Sequence, residues 1–121
     1  MSDLEKALDT FYAEDYTQAL SLLKPLADCG NAEAQCILAN MYHLGLGVER
    51  NILEAIKWYI KATEQGHAIA ANNLAGIYLS GDKDVPANRE KADKYFEIAR
   101  KQGLLHTPIE SEYLRVASLN L

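Results

Sequence analysis

Gly30, Gly66 and Gly103 stand 36 and 37 residues apart, and the sequence between them repeats. Leu38, Ala39, Tyr42 and Gly45 recur as Leu74, Ala75, Tyr78 and Gly81. With one residue inserted in the following loop, Val48, Asn51, Ala55, Trp58 and Ala62 recur as Val85, Asn88, Ala92, Tyr95 and Ala99. The N-terminal stretch is a degenerate copy: Asp15, Ala19, Leu22, Leu23 and Gly30 stand in register with Asn51, Ala55, Trp58, Tyr59 and Gly66. A chain built this way stacks copies of one small unit, because no single unit can bury its apolar face alone.

Each unit reads as a helix pair. Apolar residues recur three and four apart, as in Leu38, Met41 and Tyr42, then Ala55, Trp58, Tyr59 and Ala62. Asp15, Asn51 and Asn88 fall where second helices begin, and Asp and Asn are preferred caps. Glu54, three after Asn51, completes a capping-box pattern. Gly66 and Gly103 fall at the ends of second helices, where a left-handed residue is wanted. Pro25 lies inside a second helix and is expected to kink it. The spacing predicts seven helices, near 3–13, 16–28, 32–44, 52–65, 68–80, 89–102 and 108–119. Thr107, Pro108 and Glu110 mark the start of the last, a terminal cap. The expected architecture is all-α: one right-handed α-solenoid domain over 1–121. It divides into a degenerate pair at 1–29, repeats at 30–65 and 66–102, and a capping helix at 103–121. Ala39, Ala55, Ala62, Ala75, Ala92 and Ala99 are the positions where helices approach closely.

The segment "GLG" at Gly45–Gly47 is the one place where a phosphate loop suggests itself. A dinucleotide fingerprint would put a third glycine at position 50, where Arg50 stands, and no strand pattern precedes it. The repeat explains the pair as a turn: Gly45 ends a first helix, Gly47 turns the chain, and Val48 tucks beneath.

These residues resemble the Sel-1-like repeat family, relatives of the tetratricopeptide repeats. The pattern reads Ala34, Leu38, Ala39, Tyr42, Gly45, Gly47, Val48, Asn51, Ala55, Trp58, Tyr59, Ala62 and Gly66. The second copy departs from it in "GDKDVP", which lacks the second glycine. Cysteine-rich members of the family tie each repeat with a disulfide. The matching positions here are Ala27 and Gln35, so the resemblance implies a chain without that framework and a reducing compartment.

The resemblance also implies an interaction scaffold whose concave wall is lined by the first helices. With Leu38 and Leu74 buried, the candidate partner-binding residues are Asn40, His43 and Leu44 in one pair, and Ile69, Asn72, Gly76 and Leu79 in the next. Glu33, Cys36 and Ser80 flank them, and Lys6 and Thr10 extend the row. The expected function is non-enzymatic: binding of one protein or peptide along this wall, as a bacterial immunity or adaptor protein. The partner in the immunity case is a toxic effector.

Charge and composition narrow the rest. The net charge is −5 and the basic residues are scattered, which argues against nucleic acid and anionic membrane. There is no run of 18 apolar residues and no leader-like start, so the expected compartment is cytoplasmic. Cys29, Cys36, His43, His67 and His106 share no metal-ligand spacing, and no cofactor or metal is expected. The alternative reading is a hydrolase of cell-wall or β-lactam substrates, from the Ser-x-x-Lys spacing of Ser21 and Lys24. It lacks the Ser-Asp-Asn and Lys-Thr-Gly elements such enzymes need. The expected state is monomer or weak dimer, with Ile52, Ile60 or Leu119–Leu121 as candidate dimer contacts.

Overall fold

The structure is a computed structural model that describes residues 1–103. The helix expected over 108–119 and its caps lie outside the described residues. Within them run α1 (Asp3–Tyr12), α2 (Tyr16–Asp28), α3 (Ala32–Leu44), α4 (Ile52–Glu64), α5 (Ala68–Ser80) and α6 (Arg89–Lys101). Each helix packs against the next in sequence, which makes three antiparallel pairs stacked as a solenoid.

Every described helix starts on a side-chain cap. Ser2, Asp15, Asn31, Asn51 and Asn88 each accept from the backbone N–H three residues on. His67 does the same for α5, with Nδ1 accepting from Ala70 N–H at 3.1 Å. The capping box expected at Asn51 is only half made. Glu54 N–H donates to Asn51 Oδ1 at 3.0 Å, but the Glu54 carboxylate pairs with Lys57 at 3.1 Å. The Asn51 N–H donates instead to the Tyr42 carbonyl at 2.9 Å, and Asn88 repeats this with Tyr78 at 2.7 Å. Those two bonds close the loop of each full repeat onto its own first helix. Helix α2 runs through Pro25, which lies on its exposed side.

Gly45 ends α3 in the left-handed region, at φ 71°. Gly47, also at φ 71°, does more than turn: a Cβ there would sit 2.8 Å from Tyr16 Cβ and 2.9 Å from the Tyr16 carbonyl carbon. The loop is therefore seated on the start of α2, and only a residue without a side chain fits. In the second repeat, without the matching glycine, Asp82 and Val85 pair as a small bridge and Val85 is buried.

The core is a continuous layer of alanines and large apolar side chains. Ala39, Ala55, Ala62, Ala75, Ala92 and Ala99 are all fully buried. Leu38 and Leu74 are fully buried as well, each stabilising the fold by roughly 1.5–3 kcal/mol. Tyr78 and Tyr95 stack at 5.9 Å between α5 and α6. The positions matched to a disulfide, Ala27 and Gln35, are joined here by a hydrogen bond. Gln35 is buried, its Nε2 donates to the Ala27 carbonyl at 3.0 Å, and its Oε1 accepts from Gln65 Nε2 at 2.9 Å.

Two expected surface positions are buried instead. Cys36, expected on the wall, is 2% exposed, because α3 lies between neighbouring helices and is covered on several sides. Ile52, a candidate dimer contact, is 5% exposed and packs into the core. Ile60 is partly buried against the core.

Candidate functional site

A groove of about 500 Å³ opens on the wall formed by the first helices of the two full repeats. Helix α3 supplies Asn40, His43 and Leu44. Helix α5 supplies Asn72, Asn73, Gly76, Ile77 and Ser80. The second helices add Tyr59 from α4 and Phe96 from α6. Asn40, His43, Leu44, Asn72 and Gly76, expected from sequence, thus line one groove. Ile69 is exposed but outside it, and Leu79 turns away and packs against the core.

A hydrogen-bond network lies at the back of the groove. The buried Tyr59 hydroxyl donates to Asn40 Oδ1, and Asn73 Nδ2 donates to the same oxygen at 3.2 Å. Burial holds the Tyr59 phenol well above its ordinary pKa, so it stays a donor. His43 approaches edge-on, with ring centroids 6.2 Å apart. Burial and then the Arg50 cation hold the His43 pKa below its ordinary value, with Asp82 opposing. His43 is therefore neutral at neutral pH. Arg50 Nε donates to the His43 carbonyl at 2.9 Å, and its Nη2 pairs with Asp82 Oδ2 at 2.6 Å. That pair ties the loop of one repeat to the loop of the next.

Asn72 differs from its neighbours. Its Oδ1 atom is buried and has no hydrogen-bond partner. An orphaned buried acceptor carries a desolvation cost of ~1–3 kcal/mol. Asn40, by contrast, accepts two bonds on Oδ1, and its Nδ2 is not among the buried atoms that lack a partner.

Tyr59, Asn73, Ile77 and Phe96 were missed from sequence, since the wall was drawn from first helices and from one stripe of each. The Trp58–Tyr59 pair carried a signal. Neighbouring residues on a helix point about 100° apart, so the two rings cannot serve the same layer.

The Ser21–Lys24 depression is lined by residues of α2 alone. Ser21 Oγ donates to the Gln18 carbonyl at 2.8 Å within the same helix. Among the described residues no second helix lines it. Cys36 is an inert thiol: burial and the Glu33 charge push its pKa up to about 12. Cys29 is exposed, and both cysteines are free. His67 Nδ1 accepts from Ala70, so its Nε2 carries the proton and donates to Glu33 Oε2 at 2.7 Å. This ties α3 to the start of α5. No group of three or more His, Cys, Asp or Glu able to hold a metal occurs among the described residues. No described helix is long and apolar enough to cross a membrane.

The pattern of the Sel1 repeat matches residues 11–31, 32–67 and 68–104. The chain belongs to the Sel1 repeat family. Chitin synthase regulatory factor 3 of Schizosaccharomyces pombe is 38% identical to this Sel1 chain over 85 residues, which are 69% of this chain and 9% of that protein. The exopolysaccharide production negative regulator of Rhizobium meliloti is 31% identical over 100 residues, covering 72% of this chain and 37% of that protein. Among solved structures, the Sel1 repeat protein from Oxalobacter formigenes superposes with a TM-score of 0.77 at 33% identity, covering 84% of this chain and 40% of that one. The Sel1 chain thus spans well under half the length of these relatives. Sel1 repeat proteins generally mediate protein–protein interaction or regulation and are typically non-catalytic scaffolds.

Proposed function

We propose that this Sel1 chain is a non-enzymatic module that holds one protein or peptide in the groove between α3 and α5. The observation that carries the reading is the joining of side chains from two repeats, Asn40, His43 and Leu44 with Asn72 and Gly76, around one open groove. Amide side chains there offer donors and acceptors to a polypeptide. Gly76 has nothing within 4 Å of where a Cβ would stand, so it leaves room for a guest. Leu44 and Ile69 are exposed apolar side chains of the same two helices, available as anchors beside the groove.

The finer reading is an immunity or adaptor protein of the cytoplasm, acting as a monomer or weak dimer. Its support is the net charge of −5, which suits a basic partner such as a toxic effector, and a pair of free cysteines with no disulfide between them.

The test is a pull-down from the source cell with the purified chain, beside an Asn40→Arg/Asn72→Arg variant checked for helical content. A protein retained by the wild type and released by the variant supports the groove as the binding site. The same protein retained by both would move the binding site elsewhere on the molecule.

A further inference from the structure

We infer that residues 104–121 of this chain seat on the flank of α5 that faces away from α3, over Ile69, Gly76 and Phe96, and there compete with the partner for the groove. The competition rests on the protein-binding reading above; the seating stands apart from it. The first ground is the turn that ends α6. Gly30, Gly66 and Gly103 have φ 96°, 86° and 99°, and each N–H donates to the carbonyl three residues back, at 3.0, 2.9 and 3.1 Å. The first two turns lead the chain into α3 and α5, each packed on the second helix of the pair before it. The same turn at Gly103 starts the following residues on the same course. Residues 104–121 outnumber the 13 of α3 or of α5, so they are long enough to run the length of that flank.

The second ground is register. Helix α5 and its cap meet the preceding pair through Glu33, Asn40 and Tyr59. His67 Nε2 donates to Glu33 Oε2 at 2.7 Å, Asn73 Nδ2 donates to Asn40 Oδ1 at 3.2 Å, and the Tyr59 hydroxyl donates to that same oxygen. One repeat on, Glu33, Asn40 and Tyr59 become Ile69, Gly76 and Phe96. His67, the residue after Gly66, becomes Leu104, the residue after Gly103. Both members of the polar pair thus change together, into the apolar pair Ile69 and Leu104. Ile69 is 49% exposed, and an apolar cover takes its side chain out of water. Gly76 has nothing within 4 Å of where a Cβ would stand among the described residues, which leaves room for a large side chain. The segment carries Leu105, Ile109, Tyr113 and Leu114.

The third ground is the tether. Gly76 and Phe96 line the groove as well as this flank, so a segment seated there fills part of the groove. It follows α6 with only the Gly103 turn between, since the last residue of α6 is Lys101. A segment joined so closely meets its flank at an effective concentration on the order of millimolar, which a free partner has to overcome.

The test is nuclear Overhauser spectroscopy on the full, isotope-labelled chain, with hydrogen exchange beside it. Methyl contacts between Leu104 and Ile69 are expected, and contacts from side chains of 105–121 to the Phe96 ring and to Gly76. Ile69→Glu changes an exposed position and should lower the amide protection of 104–121 by about three- to tenfold, the factor that burying about half an isoleucine side chain supplies. Ile69→Glu/Leu104→His rebuilds the Glu33–His67 pair one repeat on and should restore the protection. Absence of contacts between 104–121 and α5 or Phe96 would overturn the seating, and so would unchanged protection in Ile69→Glu. For the competition, Leu104→Glu leaves every groove residue intact and should retain more of the pull-down partner than the wild type does. Equal retention would overturn the competition, while the contacts decide the seating. If the Asn40→Arg/Asn72→Arg variant retains the partner as well, the groove reading falls and the competition with it, and the contacts still decide the seating.

Discussion

Gly45 and Gly47 allow one structural cost to be separated from another. Both have φ 71°, so replacing either by alanine forces an L side chain into the left-handed region, at ~1–2 kcal/mol. Their surroundings differ. A Cβ at Gly45 would meet Arg50 Cβ at 3.3 Å and the Arg50 backbone nitrogen at 3.5 Å, so the loop backbone at Arg50 need give by only a few tenths of an ångström. A Cβ at Gly47 would meet the Cβ, carbonyl carbon and carbonyl oxygen of Tyr16 at 2.8, 2.9 and 2.9 Å. The Tyr16 backbone belongs to the first turn of α2 and cannot yield without moving the helix. Overpacking of that kind adds ~1–3 kcal/mol. Gly45→Ala is therefore expected to cost ~1–2 kcal/mol and Gly47→Ala ~2–5 kcal/mol. Gly30→Ala, at φ 96° with nothing within 4 Å of the new Cβ, serves as the conformational control. Urea unfolding followed by circular dichroism at 222 nm reads the three differences, with matched m-values as the check on two-state behaviour. Equal costs for Gly45→Ala and Gly47→Ala would refute the seating of the loop on α2.

Four further outcomes are expected. Ala55→Leu overpacks a fully buried position and should destabilise by ~1–3 kcal/mol, lowering the calorimetric melting temperature; an unchanged melting curve would contradict the helix register. Gln35→Ala removes the donor that reaches the Ala27 carbonyl from α3, leaving that carbonyl its local bond from Gly30 N–H, and also removes the acceptor of Gln65 Nε2; it should cost ~1 kcal/mol in denaturant, above an exposed Gln18→Ala control. His67→Ala removes the α5 cap and should cost ~1 kcal/mol, while His67→Asn, itself a capping residue, should recover most of it in the same assay. His43 has a folded pKa below its ordinary 6.5, so the unfolded chain takes up its proton first as the pH falls; stability should decline below about pH 6.5, then level off below the folded pKa, and unfolding of a His43→Gln variant should show a weaker decline.

Much of the fold was legible because it rests on local chemistry repeated along the chain. A cap is one residue reading the amide three places on, so Asp15, Asn51 and Asn88 announce helix starts without reference to anything distant. His67 was not legible as a cap, because histidine is no preferred capping residue and its lone pair is fixed by Glu33, 34 residues away. The candidate site divides in the same way. Asn40, His43 and Asn72 followed from helical periodicity once Leu38 and Leu74 were set inward. Cys36 did not, since α3 buries every residue from Ala34 to Ala39 and its periodicity is lost. Leu79, near the end of α5, is partly buried against the core and does not line the groove.

By itself the sequence determined the repeat, the helix pairs, the caps and the small residues that let helices touch. Each of these depends on spacings within about one unit, where the chain's own geometry converts sequence separation into direction. Only the tertiary structure decided that Gly47 rests on Tyr16, that Arg50 reaches Asp82, and that Asn72 is left without a partner. Those contacts join residues roughly a repeat apart, across surfaces whose facing depends on how whole helices stack. A hydrogen-bond acceptor in a sequence carries no mark of whether its donor arrives, and the stacking of α3, α4 and α5 settles that.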